Sequence, residues 1–192
     1  IRRHIAKIPP LVSIAVQLSR DGGRSHSMNL PPTDIFQNLD IKTEKGKESL
    51  RQERIMLRRI EKVWGVKLIE TDKDTVAKVD GIIEKDKVIR GVYESKCRDF
   101  SYMQLCEYGS WLITHKKILQ GQITSKMLMV PYLGFLYLVP DDMIFYWKIT
   151  NKIGDFRFDY EVKETLTQKT INGGKTIREN AYLPFKYAYE IT

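Results

Sequence analysis

The sequence predicts an α/β domain in which helices cover a sheet, and three observations support this class. Apolar residues recur at helical spacing over 46–64, which indicates an amphipathic helix. Short strand-like runs follow at 66–70, 75–83 and 88–97. A second helical pattern covers 101–119, and more strand-like runs come after it. This order favours an α/β layer over a helical bundle or a β-sandwich.

The first predicted helix has one apolar face and a defined end. Gly65 directly follows the pattern and predicts a C-terminal stop. Glu53 falls on the apolar face, where a carboxylate is costly unless a cation or a basic neighbour such as Arg54 or Arg58 compensates it. The apolar face is formed by Leu50, Leu57, Ile60 and Trp64.

The chain of 192 residues is long enough to bury a core, and its composition divides it into three parts. Residues 1–40 predict an N-terminal arm and a loop, because glycine, proline and small polar residues fill 20–34. Residues 41–150 predict the core of the domain. Residues 151–192 predict a C-terminal extension packed on the same domain, with a β-hairpin at NGGK, 172–175.

The longest apolar run, residues 127–140, predicts buried strands around a turn. Pro131 and Gly134 interrupt it, and it is shorter than the roughly 20 residues of a membrane-spanning helix. A membrane is therefore not a predicted partner.

The composition gives a formal net charge of +8 and a pI near 9.4. This surplus of basic residues favours a polyanionic partner such as nucleic acid, although an anionic membrane surface or a simple solubility surplus gives the same charge. Cys97 and Cys106 are too few for a disulfide framework or a four-cysteine metal site, which favours an intracellular, reducing compartment. The basic residues 1–20 are compatible with an organelle-targeting segment, but an arm folded on the domain is the more common case.

Asp80, Glu94 and Lys96 form a pattern that indicates phosphodiester chemistry. Residues two apart in a strand share a face, so Glu94 and Lys96 project together, and Asp80 adds a second carboxylate from the preceding strand. A few hard oxygen ligands, with positions open for water and phosphate, suit Mg²⁺ or Mn²⁺. A metal there lowers the pKa of bound water, while the lysine stabilises charge that develops on a phosphodiester.

This site requires an irregular hairpin. With the turn centred in the EKDK sequence, plain pairing places Asp80 opposite Gly91 and leaves Glu94 on the other face. A β-bulge corrects the register, and Gly81 and Gly91 are the residues that would allow one. We therefore predict an irregularity next to one of these glycines.

The same residues resemble the PD-(D/E)xK nucleases. Asp80 in KVDG matches the family's aspartate, and Glu94 and Lys96 in YESK match its E-x-K element. The resemblance covers roughly residues 46–140. It departs from the motif at Val79, where many members of the family have proline.

The resemblance implies a restriction-endonuclease-like core, with a mixed central β-sheet flanked by helices, here extended by the N-terminal arm and the C-terminal β-hairpin. It implies that Asp80 and Glu94 are metal ligands and that the Ser95 carbonyl completes the shell. Lys96 would be the catalytic lysine.

The resemblance also implies a catalytic carboxylate on the first helix and a nucleic-acid-binding side of the site. Glu53 matches that carboxylate, as a catalytic residue and metal ligand, and Glu48 competes with it for the position. QLCEY, with Gln104 and Tyr108, resembles the Q-x-x-x-Y motif of the RecB-type branch, which places both residues beside the nucleic acid. Basic residues expected to contact phosphates are Arg51, Arg58, Lys116 and Lys117.

The sequence thus predicts a Mg²⁺-dependent deoxyribonuclease, with Mn²⁺ as a substitute metal. The alternatives are a non-catalytic nucleic-acid-binding module on the same fold and a nuclease that acts on RNA. A structural or protein-interaction domain is a third hypothesis. Endonuclease or exonuclease action, the type of DNA and pairing of subunits into a homodimer stay open.

Overall fold

The computed structural model describes residues 42–72, 77–170 and 173–192. The predicted N-terminal arm and loop, residues 1–40, lie outside the described residues. The elements in chain order are α1 (Glu44–Trp64), β1 (Lys67–Glu70), β2 (Gly81–Lys85), β3 (Val88–Arg98), α2 (Tyr102–Tyr108), β4 (Ser110–Thr114), α3 (His115–Leu128), β5 (Tyr132–Leu138), β6 (Met143–Lys148), β7 (Glu161–Thr170), β8 (Gly173–Pro184), a 3₁₀ turn (Phe185–Tyr187) and β9 (Tyr189–Ile191).

Two sheets organise the described part of the chain. A central sheet has six strands in the order β1-β2-β3-β5-β6-β9, and a smaller sheet has three in the order β4-β8-β7. β3 and β5 run parallel, whereas the other neighbours in the central sheet run antiparallel. The predicted α/β class, with a mixed central sheet flanked by helices, is confirmed.

Helix α1 follows the prediction closely, because its sequence carries both end signals. The Thr43 hydroxyl accepts a hydrogen bond from the Gly46 amide at 3.1 Å and caps the start. Gly65 ends the helix in the left-handed region, with φ 61°. Met56 and Ile60 are fully buried against the central sheet.

The two faces of the central sheet carry separate hydrophobic clusters, because successive strand residues point to opposite sides. Tyr93 packs in the cluster that contains Ile60 of α1. Val92, its neighbour in β3, packs in the cluster that contains Ile118 of α3. The two helices therefore cover opposite faces, and Glu94 shares the face of Val92 and α3.

The β2–β3 hairpin contains the predicted irregularity. Ile83 pairs with Gly91, but Glu84 pairs with Ile89, so Arg90 is an extra residue in β3. This β-bulge is adjacent to Gly91, as predicted from the sequence.

Two details of the hairpin correct the sequence prediction. β2 begins at Gly81, because residues 78–80 form a bend rather than a continuation of the strand predicted over 75–83. The turn lies at Asp86 and Lys87, one position later than expected, with φ values of 55° and 62°.

The single helix predicted over 101–119 is wrong. Gly109, with φ 64°, ends α2, and the next residues form strand β4 before α3 begins. Trp111 and Ile113 are buried while their neighbours are less so, which is strand periodicity, and β4 pairs with β8. The pairing with a distant strand overrides the helical spacing of the sequence.

The apolar run at 127–140 holds one strand instead of the predicted strands around a turn. All residues of β5, Tyr132–Leu138, are buried, and Pro131 precedes the strand. β5 lies between β3 and β6 in a sheet with both faces covered, which explains an uninterrupted apolar strand.

The C-terminal residues add strands to both sheets. The predicted hairpin is present as β7 and β8, with Gly173 and Gly174 at positive φ beside the turn. β8 also pairs with β4, and β9 adds an edge strand to the central sheet next to β6. Among the described residues, no helix has the length and apolarity needed to cross a membrane.

Close packing of α3 on β5 generates a stability prediction at Gly121. A Cβ added there would lie 2.3 Å from the ring of Tyr132, which is fully buried. Gly121→Ala should therefore destabilise the protein by about 1–3 kcal/mol, although alanine ordinarily favours a helix over glycine. Chemical denaturation measures the change, with Lys116→Ala at an exposed site of α3 as control. A variant more stable than wild type would contradict this packing.

Candidate active site

The bulged hairpin brings Asp80 beside Glu94. Gly81 pairs with Tyr93, so the preceding residue, Asp80, lies opposite Glu94. The Asp80 amide donates to the Tyr93 carbonyl at 2.9 Å, which holds this position after the regular ladder ends. Lys96 follows two residues later in β3 and faces the same side. The structure thus brings together the three residues of the predicted motif.

Lys96 joins the two carboxylates. Its Nζ lies 2.7 Å from Glu94 Oε1 and 3.3 Å from Asp80 Oδ2. The same ammonium donates to the Ser95 carbonyl oxygen at 2.8 Å. The Glu94 side chain is fully buried, whereas that of Lys96 is 34% exposed, so the cluster reaches solvent through the lysine.

Lys117 is the residue whose place the sequence did not predict. The sequence predicted a phosphate contact for Lys117, but its Nζ lies 3.2 Å from both Asp80 Oδ1 and Glu94 Oε2. It also donates to the Ala77 carbonyl at 3.3 Å. This contact depends on how α3 packs over the strands, and no local pattern in the sequence indicates it.

Glu53 reaches the cluster from the other face of the sheet. Ser95 points towards α1, and its hydroxyl donates to Glu53 Oε1 at 2.6 Å. The Ser95 amide donates to Asp80 Oδ2 at 2.9 Å, so this serine links the α1 carboxylate to the hairpin carboxylate.

Glu48, the competing first-helix carboxylate, has a different environment. It is exposed, and its carboxylate accepts hydrogen bonds at 2.7 Å from both Nε and Nη2 of Arg51, one to each oxygen. The structure therefore brings Glu53, and not Glu48, into contact with Ser95.

Burial and ion pairing act in opposite directions on Glu94. Burial raises the pKa of Glu94, and the neighbouring charge of Asp80 adds to the rise, while Lys96 and Lys117 oppose it. The net pKa is above the ordinary value of a glutamate. Neither Glu94 oxygen accepts a well-aligned hydrogen bond from the described residues, so ion pairs alone compensate this buried carboxylate.

Burial and ion pairing also act in opposite directions on the pKa of Lys96, but here the ion pairs together outweigh burial. Burial alone would lower the pKa of its ammonium, but Glu94 and then Asp80 outweigh burial and raise the pKa of Lys96 above its ordinary value. Lys96 therefore carries its positive charge at neutral pH.

The oxygen atoms of the cluster are of the kind that could hold a small divalent cation. Asp80, Glu94 and the Ser95 carbonyl provide hard oxygen donors, which Mg²⁺ and Mn²⁺ prefer. Two ammonium groups already lie against these oxygens, which shows that the position favours positive charge. Within the described ranges, no three acidic, histidine or cysteine side chains converge into a metal-binding group.

The other predicted nucleic-acid contacts lie outside this cluster. The Gln104 side chain accepts from the Ser101 amide at 2.8 Å and caps α2. Tyr108 is 58% exposed at the end of α2. The predicted basic contacts Arg51, Arg58 and Lys116 are all exposed.

Comparisons of the chain with protein-family models, with curated proteins and with solved structures find no match. The geometry itself defines an α/β protein whose central sheet carries an ionic cluster of two carboxylates and two lysines. The carboxylates are the more buried partners, and both ammonium groups are more accessible.

The raised pKa of Glu94 predicts a pH-dependent effect of Glu94→Gln. Below about pH 4, glutamate is protonated in both the folded and the unfolded state, so the substitution removes no charge. As the pH rises from the unfolded pKa of about 4.3 to the raised folded pKa, the unfolded state ionises first and wild type loses stability; above the folded pKa only wild type must bury the ionised carboxylate. The variant should therefore gain free energy of unfolding relative to wild type, by about 1.4 kcal/mol per unit of pKa rise.

Denaturation of both proteins at pH 4 and pH 8 measures this difference. Glu107→Gln, at an exposed site of α2, is the matched control and should show little change between the two values. A loss of stability of Glu94→Gln that grows with pH would mean that the lysines outweigh burial.

Proposed function

We propose that this protein is a metal-dependent nuclease that hydrolyses phosphodiester bonds in DNA. The observation that carries the proposal is the meeting of Asp80, Glu94 and Lys96 in one ionic cluster. This is the arrangement that the resemblance to the PD-(D/E)xK nucleases implies. The net charge of +8 supports a polyanionic substrate.

In this proposal the carboxylates hold the metal and the lysines act on the reacting phosphate. Asp80, Glu94 and the Ser95 carbonyl would bind Mg²⁺ or Mn²⁺, which supplies a water of lowered pKa and neutralises phosphate charge. Glu53 holds the Ser95 hydroxyl and thereby orients the strand that presents the carbonyl. Its role would be positioning, through Ser95, rather than direct contact.

Lys96 would stabilise charge rather than remove a proton. Its raised pKa keeps it protonated at neutral pH, so it is a poor general base but a good hydrogen-bond donor. An ammonium beside the carboxylates can orient the attacking water and stabilise the negative charge that develops on the phosphate oxygens. Lys117 would add a second positive charge on the α3 side.

A basic stripe along α1 supports a nucleic-acid interface. Its four cations line a shallow groove of about 470 Å³ and follow one side of the helix, where residues three and four apart are neighbours. Such a row fits a phosphate backbone, which is recognised mainly by charge. The stripe consists of Lys47, Arg51, Arg54 and Arg58.

A non-catalytic DNA-binding module is the second candidate, and one observation favours it. Lys96 and Lys117 already neutralise Asp80 and Glu94, so the cluster is electrically balanced without a metal. A balanced buried cluster can also have a purely structural role.

Cleavage assays with active-site variants separate the two candidates. Wild type should cut DNA with Mg²⁺ or Mn²⁺, and Asp80→Asn or Lys96→Met should lower the rate by roughly 100-fold or more, because each removes a group from the reacting centre. Single-stranded, duplex, flap, junction and RNA substrates are compared in parallel. Glu164→Gln, at an exposed site of β7 outside the cluster and the α1 stripe, is the control and should keep the wild-type rate.

Circular dichroism and a thermal melt establish that the variants are folded. Binding of DNA that is unaffected by Asp80→Asn, with no cutting by wild type in either metal, would refute the nuclease and support the binding module. Cutting of RNA alone would refute DNA as the substrate.

The α1 stripe generates a prediction about salt dependence. Replacing both Arg54 and Arg58 by alanine should weaken DNA binding and lower the slope of log K against log salt by about 2, since two phosphate contacts are lost. Binding is measured in a metal chelator at several salt concentrations. Lys152→Ala with Lys186→Ala removes the same charge at exposed sites outside the stripe. Equal slopes for the two double variants would exclude the stripe as the interface.

A further inference from the structure

A cavity of about 570 Å³ lies next to the end of β3, outside the ionic cluster. Its volume is in the range that holds a nucleotide-sized molecule. Its walls come from β3, α2, β4, β7 and β8, so rigid elements shape it. The residues that line it combine aromatic rings with two cations and one carboxylate. Glu161 pairs with Lys163 at 2.8 Å, so Arg98 is the lining cation without an ion pair among the described residues.

Arg98 is the cation at the β3 side of this cavity. It is partly buried, and the only hydrogen bond of its side chain within the described residues goes to the Cys97 carbonyl at 3.0 Å. Within the described ranges no carboxylate forms a salt bridge with it, although the charge of Asp99 partly offsets its burial. Burial lowers the pKa of Arg98 from its ordinary value, which is the mark of a cation without full compensation. A partly buried guanidinium of this kind favours an anion, and phosphate accepts its hydrogen bonds well.

Aromatic side chains form the rest of the cavity wall. Phe100 and Tyr108 meet edge to face with ring centroids 5.5 Å apart, and 58% of the Tyr108 side chain is exposed. Tyr182 lines the opposite wall, and Lys163 lies 5.5 Å above its ring. Exposed aromatic faces beside cations are surfaces on which nucleobases stack.

Trp111 adds an unpaired donor to the wall. Its side chain is 1% exposed, and its indole Nε1 has no hydrogen-bond partner among the described residues. Trp111 lines the cavity, and its six-membered ring packs close to Gly134 in the core. A buried N–H without a partner is costly, and a polar ligand atom in the cavity would satisfy it.

We propose that this cavity binds one unpaired nucleotide of the DNA substrate, with its phosphate on Arg98 and its base against Tyr108. The proposal rests on the nuclease function and narrows its substrate to DNA that offers an unpaired base. A base inside a duplex must leave the stack to enter this cavity, which costs a few kcal/mol, whereas a base in a single strand or at a frayed end enters without this cost.

The position of the cavity agrees with a nucleotide close to the cleaved bond. Glu94, Lys96 and Arg98 lie two residues apart on one face of β3, so each step is about 6.6 Å along the strand. A DNA strand that follows β3 would place one phosphate at the ionic cluster and a neighbouring nucleotide at Arg98. The cluster and the cavity would then hold consecutive parts of one substrate.

Titration calorimetry with the full chain in a metal chelator tests the cavity without any cleavage. The probes are thymidine 5′-monophosphate and inorganic phosphate. Wild type should bind the nucleotide, and Arg98→Met should weaken binding by roughly tenfold or more, because a charged hydrogen bond is lost. Tyr108→Leu, at an exposed site where folding is not at risk, should weaken it by roughly fivefold or more. Arg157→Met removes an exposed arginine outside the cavity and should have no effect.

Three results would overturn the proposal. They are no binding of the nucleotide, the same affinity in Arg98→Met and Tyr108→Leu as in wild type, and equal affinity for inorganic phosphate, which would mean that the base contributes nothing. Tighter binding of single-stranded than of duplex DNA, lost in Arg98→Met but kept in Arg157→Met, would support it.

The outcome is independent of the cleavage assay. Nucleotide binding without any cutting would refute the nuclease and leave a single-strand-binding module with this cavity. Cutting without nucleotide binding would refute the cavity alone.

Discussion

The extra residue in the β2–β3 hairpin decides which side chains of the two strands meet. If the pairing of Glu84 with Ile89 continued without a bulge, Asp80 would lie opposite Tyr93, which points into the α1 cluster. The bulge at Arg90 shifts the register by one residue and places Asp80 opposite Glu94 instead. The ionic cluster, the contact with α3 and the proposed chemistry all depend on this shift.

In the ionic cluster, ion pairs offset the cost of burying a charged carboxylate. A fully buried carboxylate is unfavourable alone, and the structure compensates Glu94 with two ammonium groups rather than with hydrogen bonds. Both lysines are long and partly exposed, so their ends can rearrange at lower cost than the more deeply buried carboxylates. Because the lysine ends can move more easily than the carboxylates, the site can be neutral in charge without a metal and, in our proposal, can also accept a metal and a phosphate.

Strand β3 connects the features to which we assign function. On the face covered by α1, Tyr93 packs in the α1 cluster and the Ser95 hydroxyl donates a hydrogen bond to Glu53. On the opposite face the strand carries Glu94 and Lys96 in the cluster and Arg98 in the cavity. Because a strand fixes the spacing and the side of each residue, a single element sets the distances between the proposed cleavage site and the proposed nucleotide site.

The sequence by itself determined the local features: the capped helix α1, the shared face of Glu94 and Lys96, and the need for an irregular hairpin. These depend on residues close in the chain, where periodicity and turn chemistry act directly. Tertiary structure alone decided that residues 110–114 form a strand. Over so short a segment the apolar spacing does not distinguish a helix from a strand, and pairing with β8 selects the strand. It also placed Lys117 in the cluster and Glu53 rather than Glu48 at Ser95, since contacts between distant elements leave no local pattern.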